Sequence, residues 1–266
     1  GVFDSTMTVW EALIRIARCG RAVPVLQGGV VRLFRDAQQT LPVAMFSPRN
    51  IVKGSFKIQY IMPGDDTADA VTVEFFNSRT WNPDEVTSSL PDSAAQKPAK
   101  VMLFGCTNEP QAKREGLYMA ADNRYRRKLV SWQTELDGLI PTYGDLVAVT
   151  HDMPRWGQGG EVVSWDPETS ILEVSEPLDW SEGVDHYIAL RRRDGSPAGP
   201  FKVQANGDDM RSLRILDALD FVPYTGTAEE RSHFAFGPGE AWSAKARVIA
   251  VRPRGHERPH RQLPEF

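Results

Sequence analysis

Cysteine is almost missing from this chain. Cys19 and Cys106 are the two in 266 residues, and their separation allows neither a disulfide framework nor a Cys-x-x-Cys pair. They read as a reduced, buried pair. Histidine is sparse too, and no second histidine stands at ligand spacing from His151, so no metal is implied. Gly-x-Ser-x-Gly and His-Glu-x-x-His do not occur. No apolar run is long enough to span a bilayer. Gly1 to Met7 carry an aspartate and no apolar core, so no signal segment is visible. Positive charge is not in excess: 31 Lys and Arg stand against 35 Asp and Glu, a net charge of −4. That balance gives no pull toward sequence-specific nucleic acid or an anionic membrane. No repeat of fixed period is present.

What remains is the composition of a folded protein, with 41% hydrophobic and 25% charged residues. The length suits two domains. Thr8 with Glu11 forms a capping box that opens a helix through Cys19, ended by Gly20. Val9, Leu13, Ile16 and Ala17 make its expected buried stripe. Val23–Leu26 and Val30–Phe34 flank Gln27-Gly28-Gly29, a tight hairpin signal. Leu41–Phe46 is a short strand. Phe56, Ile58 and Tyr60, then Val71, Val73 and Phe75, alternate with polar residues, and a long hairpin between them is the simplest assignment. Trp81–Lys100 is rich in Pro, Ser and Asp and reads as a long connection. Lys100–Phe104 is a strand.

Thr107–Val149 holds the densest agreement of signals. Asn108 can cap a helix whose first turn tolerates Pro110. Ala112, Gly116, Leu117, Ala120, Ala121, Tyr125 and Lys128 lie at helical spacing, a narrow stripe expected to face inward. Arg124, Arg126, Arg127 and Lys128 suit the negative end of the helix dipole. The period then changes, and Val130, Trp132, Thr134 and Leu136 alternate as a half-buried strand. Pro141 and Gly144 turn the chain into Leu146–Val149.

Beyond that point the texture is all-β. Glu161–Trp165, Ile171–Ser175, His186–Leu190, Phe201–Gln204 and Ser243–Val251 are strand-length runs. Asp166-Pro167, Asp194-Gly195 and Gly237-Pro238-Gly239 separate them, a spacing that suits a barrel or sandwich. Leu213–Leu219 is apolar and ambiguous between strand and helix. Gly157-Gln158-Gly159-Gly160 lacks the helix a phosphate loop requires and reads as a β-turn. Arg191-Arg192-Arg193 reads as a solvated strand end, since consecutive strand positions face opposite ways. Arg155 and Trp156 are the candidate partner-binding residues. They sit in a loop too rich in glycine to cover an indole, and an aromatic held there either anchors a partner or folds back on its own barrel.

Several of these segments carry a resemblance. Gln111 through Tyr125-Arg126-Arg127, Thr134-Glu135-Leu136 and Gly144-Asp145-Leu146 resemble the tail-tip attachment, or host specificity protein J, family of lambda-type phages. His151-Asp152-Met153-Pro154, Trp156-Gly157-Gln158 and His233 to Trp242 continue it, and it covers Phe3 to about Pro253. The family's members are far longer, so the chain reads as a fragment. The resemblance implies the central hub of a tail tip, homotrimeric in the full-length protein. Its implied partners are its own protomers, other tail proteins and, through regions outside this fragment, a host surface receptor. It implies no cofactor and no catalysis, and a place in the virion tail tip after synthesis in the bacterial cytoplasm. The expected fold class is α+β, predominantly antiparallel β. A two-helix hub domain occupies 1–140, a small antiparallel β-barrel 141–252, and a disordered tail 253–266. Two alternatives remain: a tail-associated glycan or cell-wall hydrolase, because 35 carboxylates guarantee close pairs, and a receptor- or glycan-binding module.

Overall fold

The computed structural model describes residues 3, 6–64 and 67–253. The fold is α+β and mostly antiparallel, with a closed barrel in its C-terminal half. Helix α1 (Val9–Arg18) opens on the expected capping box: Thr8 N–H donates to Glu11 Oε2 at 2.9 Å and Glu11 N–H to Thr8 Oγ1 at 3.2 Å. Strands β1 (Ala22–Gln27) and β2 (Val30–Arg35) form a two-stranded hairpin. Gly28 and Gly29, both at positive φ, make its two-residue turn, whose hand matches the twist of the strands. β3 (Ala44–Phe46) and β4 (Lys57–Tyr60) follow.

β5 (Ala70–Asn77) is the centre of a three-stranded sheet. It pairs antiparallel with β6 (Asn82–Ser89) and parallel with β7 (Pro98–Met102). Helix α2 (Glu109–Tyr125) lies on that sheet through Ala112, Gly116 and Ala120, one residue per turn. Gly116 allows the close approach: a Cβ there would stand 2.9 Å from Ser88 Oγ and 3.1 Å from Val73 Cγ2. β8 (Lys128–Ser131) pairs with β4, and a 3-10 turn spans Leu136–Leu139.

β9 (Leu146–Val149) is the seam of the molecule. It runs parallel to β3 and antiparallel to β16 (Ala244–Arg247), so this sheet draws on both sides of residue 140. Its two faces go to different cores. Ala44, Phe46, Val147 and Val149 pack with Ile51 and Phe56 on one side, and Met45 and Ala148 meet Ala189, Ala235 and Trp242 on the other. Burial on both faces explains why β3 and β9 are apolar without alternation.

The barrel closes in the order β10 (Gln158–Asp166), β11 (Ile171–Val174), β14 (Ser212–Ile215), β13 (Pro197–Ala205), β12 (His186–Arg191), β15 (His233–Pro238), and β15 returns to β10. Phe234 and Phe236 point inward with Ile188 and Leu190, while Ala235 and Ala189 point outward to the seam. Alanine on the outer face lets barrel and sheet approach closely. Each large apolar side chain removed from water this way contributes roughly 1.5–3 kcal/mol.

Several expectations need correction. β4 and β5 do not form one long hairpin, and much of Trp81–Lys100 is strand: β6 reads as a connection because it is an exposed, polar edge with Val86 and Ser88 turned inward. The strand expected to continue to Leu136 stops at Ser131, opposite Lys57, where its antiparallel partner β4 begins. Leu136 and Leu139 instead lie exposed in the 3-10 turn. On α1, Val9 and Ile16 are exposed and Ala17 alone is buried. On α2, Leu117 and Tyr125 are exposed, Lys128 belongs to β8, and Asn108 makes no side-chain cap. Small residues alone fit under the helix, so Leu117 is pushed to its flank. Gln158-Gly159-Gly160 is strand rather than turn, and Gly237-Pro238 lies inside β15. Leu213–Leu219 resolves as strand over Ser212–Ile215. Both cysteines are free, Cys106 buried and Cys19 half-buried. Of the tail expected at 253–266, residues 254–266 lie outside the described residues.

Candidate interaction surfaces

The loop carrying Arg155 and Trp156 leaves β9 and enters β10. An isolated bridge pairs His151 with Trp156, and Trp156 N–H donates to the His151 carbonyl at 3.1 Å. His151 Nδ1 accepts from Met153 N–H at 3.1 Å, and its ring stacks on Phe56 with centroids 4.0 Å apart. Trp156 meets the same Phe56 edge-on at 6.2 Å and is half-buried against the seam core. Arg155 is exposed and adopts a φ of +54°, a left-handed conformation that costs a non-glycine residue of the order of 1 kcal/mol. Gly157 must be glycine, because a Cβ would overlap the Trp242 carbonyl. The pair is therefore split: Trp156 braces the loop from inside, and Arg155 stands at its outer tip beside exposed Asp152 and Met153.

A charged cluster lies at the junction of barrel and seam. Arg191 is buried, not the solvated strand end expected from its sequence. Its guanidinium contacts Asp137 Oδ1 at 2.5 Å and Glu230 Oε2 at 3.3 Å. Asn50 Nδ2 donates to the other Asp137 oxygen at 2.8 Å. His233 is buried beside it, with Nε2 3.1 Å from Glu230 Oε1 though not hydrogen-bonded to it, and Nδ1 3.5 Å from Ser47 Oγ. Burial first, and then the Arg191 charge, push the His233 imidazole down to about 4. Burial likewise raises Glu230. Ser47, His233 and Glu230 stand in a row in the fold, an order that a hydrolytic triad would have. The geometry speaks against that use, since Ser47 is 0% exposed and a substrate carbonyl cannot reach its Oγ. The cluster ties three elements together. Among the described residues no group of His, Cys, Asp and Glu could hold a metal ion.

A second junction centres on Asp36, just past β2. It accepts hydrogen bonds from Tyr118 of α2 and from Arg126 Nη1 at 2.5 Å, and pairs with Arg247 of β16 at 2.5 Å. Burial alone would raise this carboxyl, but hydrogen bonds from Arg126 and Arg247 outweigh it and hold it below the usual range.

The exposed aromatic that the sequence failed to flag is Trp81. It closes the β5–β6 turn at a φ of +57°, is 76% exposed and meets half-exposed Phe76 edge-on at 6.4 Å. Its position inside a Pro- and Ser-rich stretch hid the strand it begins. The β1–β2 hairpin also leaves Leu26, Val30 and Leu33 in solvent. An open groove of about 520 Å³ runs from that hairpin to the exposed Leu139.

Among the described residues, two helices, mostly antiparallel sheets and one closed six-stranded barrel define an α+β protein. A family model described as "Putative phage tail protein" matches residues 8–163, more than half of the sequence, and the chain belongs to this family. It is similar to tip attachment protein J of Escherichia phage SECphi27, with 25% identity over 201 residues, covering 73% of this chain and 16% of that protein. Among solved structures it is similar to the tail protein from Neisseria meningitidis MC58, at 20% identity and a TM-score of 0.44 over 57% of this chain and 48% of that one. It is also similar to a chain in the virion of a native gene transfer agent particle, at 16% identity and a TM-score of 0.44 over 65% and 40%. The chain spans less than half the length of each of these relatives.

Proposed function

We propose that this chain is a structural piece of a phage tail tip, part of the central hub of a longer attachment protein, acting in tail assembly and host recognition. The observation that carries the reading is the identity to tip attachment protein J across 73% of the chain, within a family of phage tail proteins. Its partners in this reading are its own protomers, three around the tail axis, and other tail proteins. Contact with a host receptor falls to parts of the longer protein outside this segment. Residues 1–140 and 141–252 act as two domains stitched by the seam sheet. The work is done by surfaces, with no cofactor and no catalysis. Arg155 contributes a partner contact, and Trp156 holds its loop in place. Alone, the fragment associates weakly, because interface area supplied by the rest of the protein is missing.

A short epitope inserted at the exposed Gly207-Asp208 turn, labelled with gold in assembled phage, tests the reading. Gold is expected at the tail tip. Gold along the tube or on the head would refute it.

A further inference from the structure

The Trp81 turn and the hairpin groove are complementary, and we infer that they meet between copies: the β5–β6 tip of one chain inserts into the β1–β2 groove of the next. This rests on the self-assembly part of the reading above and adds the residues that make the contact. The protruding half is built at a local cost. Trp81 N–H donates to the Asn77 carbonyl at 2.9 Å, and Arg79 N–H donates to Asn77 Oδ1 at 2.9 Å, so the turn is well formed. Its last position nevertheless requires a left-handed backbone that glycine adopts freely and tryptophan does not. A large indole held there, with three-quarters of it in water and Phe76 beside it, gains little within its own chain. Backbone strain of this kind clusters at binding surfaces, and tryptophan is enriched among residues that dominate interfaces.

The receiving half is the groove lined by Val25, Arg32, Phe34, Leu139, Tyr143 and Val251, with Val25, Arg32 and Phe34 on one face of the hairpin. Leu139 is 73% and Val251 43% exposed at the groove, and Leu26 and Leu33, on the hairpin's opposite face, are each at least 60% exposed. A two-stranded hairpin is also marginal unless something covers it. Charge commits the occupant to a second copy. The hairpin carries Arg32 and Arg35 and no acid, and neither arginine makes an ion pair among the described residues. The strand leading away from Trp81 presents the exposed carboxylates Asp84 and Glu85; Glu85 is already paired with Lys100 at 3.2 Å, so Asp84 is the one that meets a groove arginine. Arg79 in the turn finds its counterpart in Asp145 of the groove wall. Arg32 can also lie over the indole face, a favourable cation–π arrangement. Tip and groove are different surfaces of one molecule, so the contact is head-to-tail, the kind that closes into a ring when the rotation permits.

Sedimentation velocity of the 266-residue chain over a range of concentrations tests this with two variants, Trp81→Gly in the tip and Leu139→Asp in the groove. The parent should self-associate. Each variant alone should bind itself about 30-fold more weakly or worse, the factor equivalent to about 2 kcal/mol at a central aromatic anchor. Mixed, they should form a one-to-one dimer and nothing larger, because one intact tip and one intact groove remain. Trp81→Gly also relaxes the turn, so its melting temperature should not fall below the parent's, which separates lost binding from lost folding. A parent that stays monomeric, a variant that associates like the parent, or a mixture that stays monomeric would each overturn the inference. Gold at the tail tip together with unaltered Trp81→Gly association would leave the hub reading standing and remove this contact from it.

Discussion

The barrel and the β1–β2 hairpin use similar apolar residues to opposite ends. In the barrel, Phe234, Phe236, Ile188, Leu190 and Leu213 are each 0% exposed, and every strand has a neighbour on both sides. In the hairpin, Val23, Leu26, Val30, Val31 and Leu33 are all more than 40% exposed, and each strand has one neighbour. Closure removes edges, so the barrel can satisfy its backbone and its core without help. An open two-strand ribbon cannot. The difference teaches that stability is concentrated in the closed barrel and not in the open ribbon, and substitutions should sort accordingly.

The largest effect is expected in the barrel. Phe234→Ala should lower the unfolding free energy by about 3–5 kcal/mol, whereas Leu33→Ala in the hairpin should stay within about 0.5 kcal/mol. Urea titrations of both would break the comparison if the two losses were similar. Next comes the junction beside the barrel. Arg191→Ala strands Asp137 without its cation and should cost about 3 kcal/mol, because the side chains are 10% and 22% exposed. A loss below about 1 kcal/mol would show that this pair is effectively solvated.

His233 sharpens the same point through pH. Its imidazole titrates at about 4 in the fold, below its ordinary 6.5, chiefly because it is buried and next because Arg191 is near. Glu161, Asp137 and Arg49 also face it. Between those two values the unfolded chain binds the proton and the folded chain does not, so acid favours unfolding there. Stability should therefore be full above about pH 6.5 and fall by up to about 3 kcal/mol toward pH 4. Glu230 works in the opposite sense: its raised carboxyl keeps its proton longer in the fold, and the stabilisation this gives is present at low pH and lost as pH rises through the shifted value. Urea midpoints at about pH 7 and about pH 5 should differ in the parent and less in His233→Gln. Equal slopes would mean that the histidine does not control the acid response.

The smallest effect lies on α2. Leu117→Asp should change stability by about 0.5 kcal/mol or less, since the side chain is 44% exposed. Gly116→Ala, one position earlier, should cost roughly 1–3 kcal/mol by pressing on Ser88 and Val73. Thermal melts that reversed this order would place the helix in another rotation.

That pair of neighbours shows how far the sequence could be read. Period located both helices and most strands, because the Thr8-x-x-Glu11 capping box of α1, the small-residue stripe of α2 and the alternation in β5 are local signals, whereas β15 goes unread and its Gly237-Pro238 end reads as a turn. Which face of α2 is buried depends on what lies beneath it. Leucine reads as more buried than glycine, yet the sheet is too close to admit it. β6 was illegible for the opposite reason: an edge strand with polar residues and Pro83 carries no hydrophobic pattern to detect. The long-range pairings β4–β8 and β3–β9–β16 join segments far apart in sequence, where local propensity has no say. Among the candidate contact residues, Arg155 and Trp156 were found from glycine content, and the structure separates their surroundings. Trp81 could not have been found so, because its signal is a backbone angle.

Ala244 sits directly across from Val149 in the seam sheet. The last residue before the barrel excursion and the first after it are thus paired neighbours, and β9 with β16 is a hairpin whose loop holds the whole barrel. An excursion that leaves and returns through adjacent strands can be exchanged as a cassette. A different domain whose ends lie as close together could occupy residues 150–243 while β3, β9 and β16 kept their register. The outer face of the newcomer would need small residues where Ala189 and Ala235 now lie against Met45 and Ala148. Exchange of the barrel would pass through one narrow doorway and leave the pairing of β3, β9 and β16 unaltered.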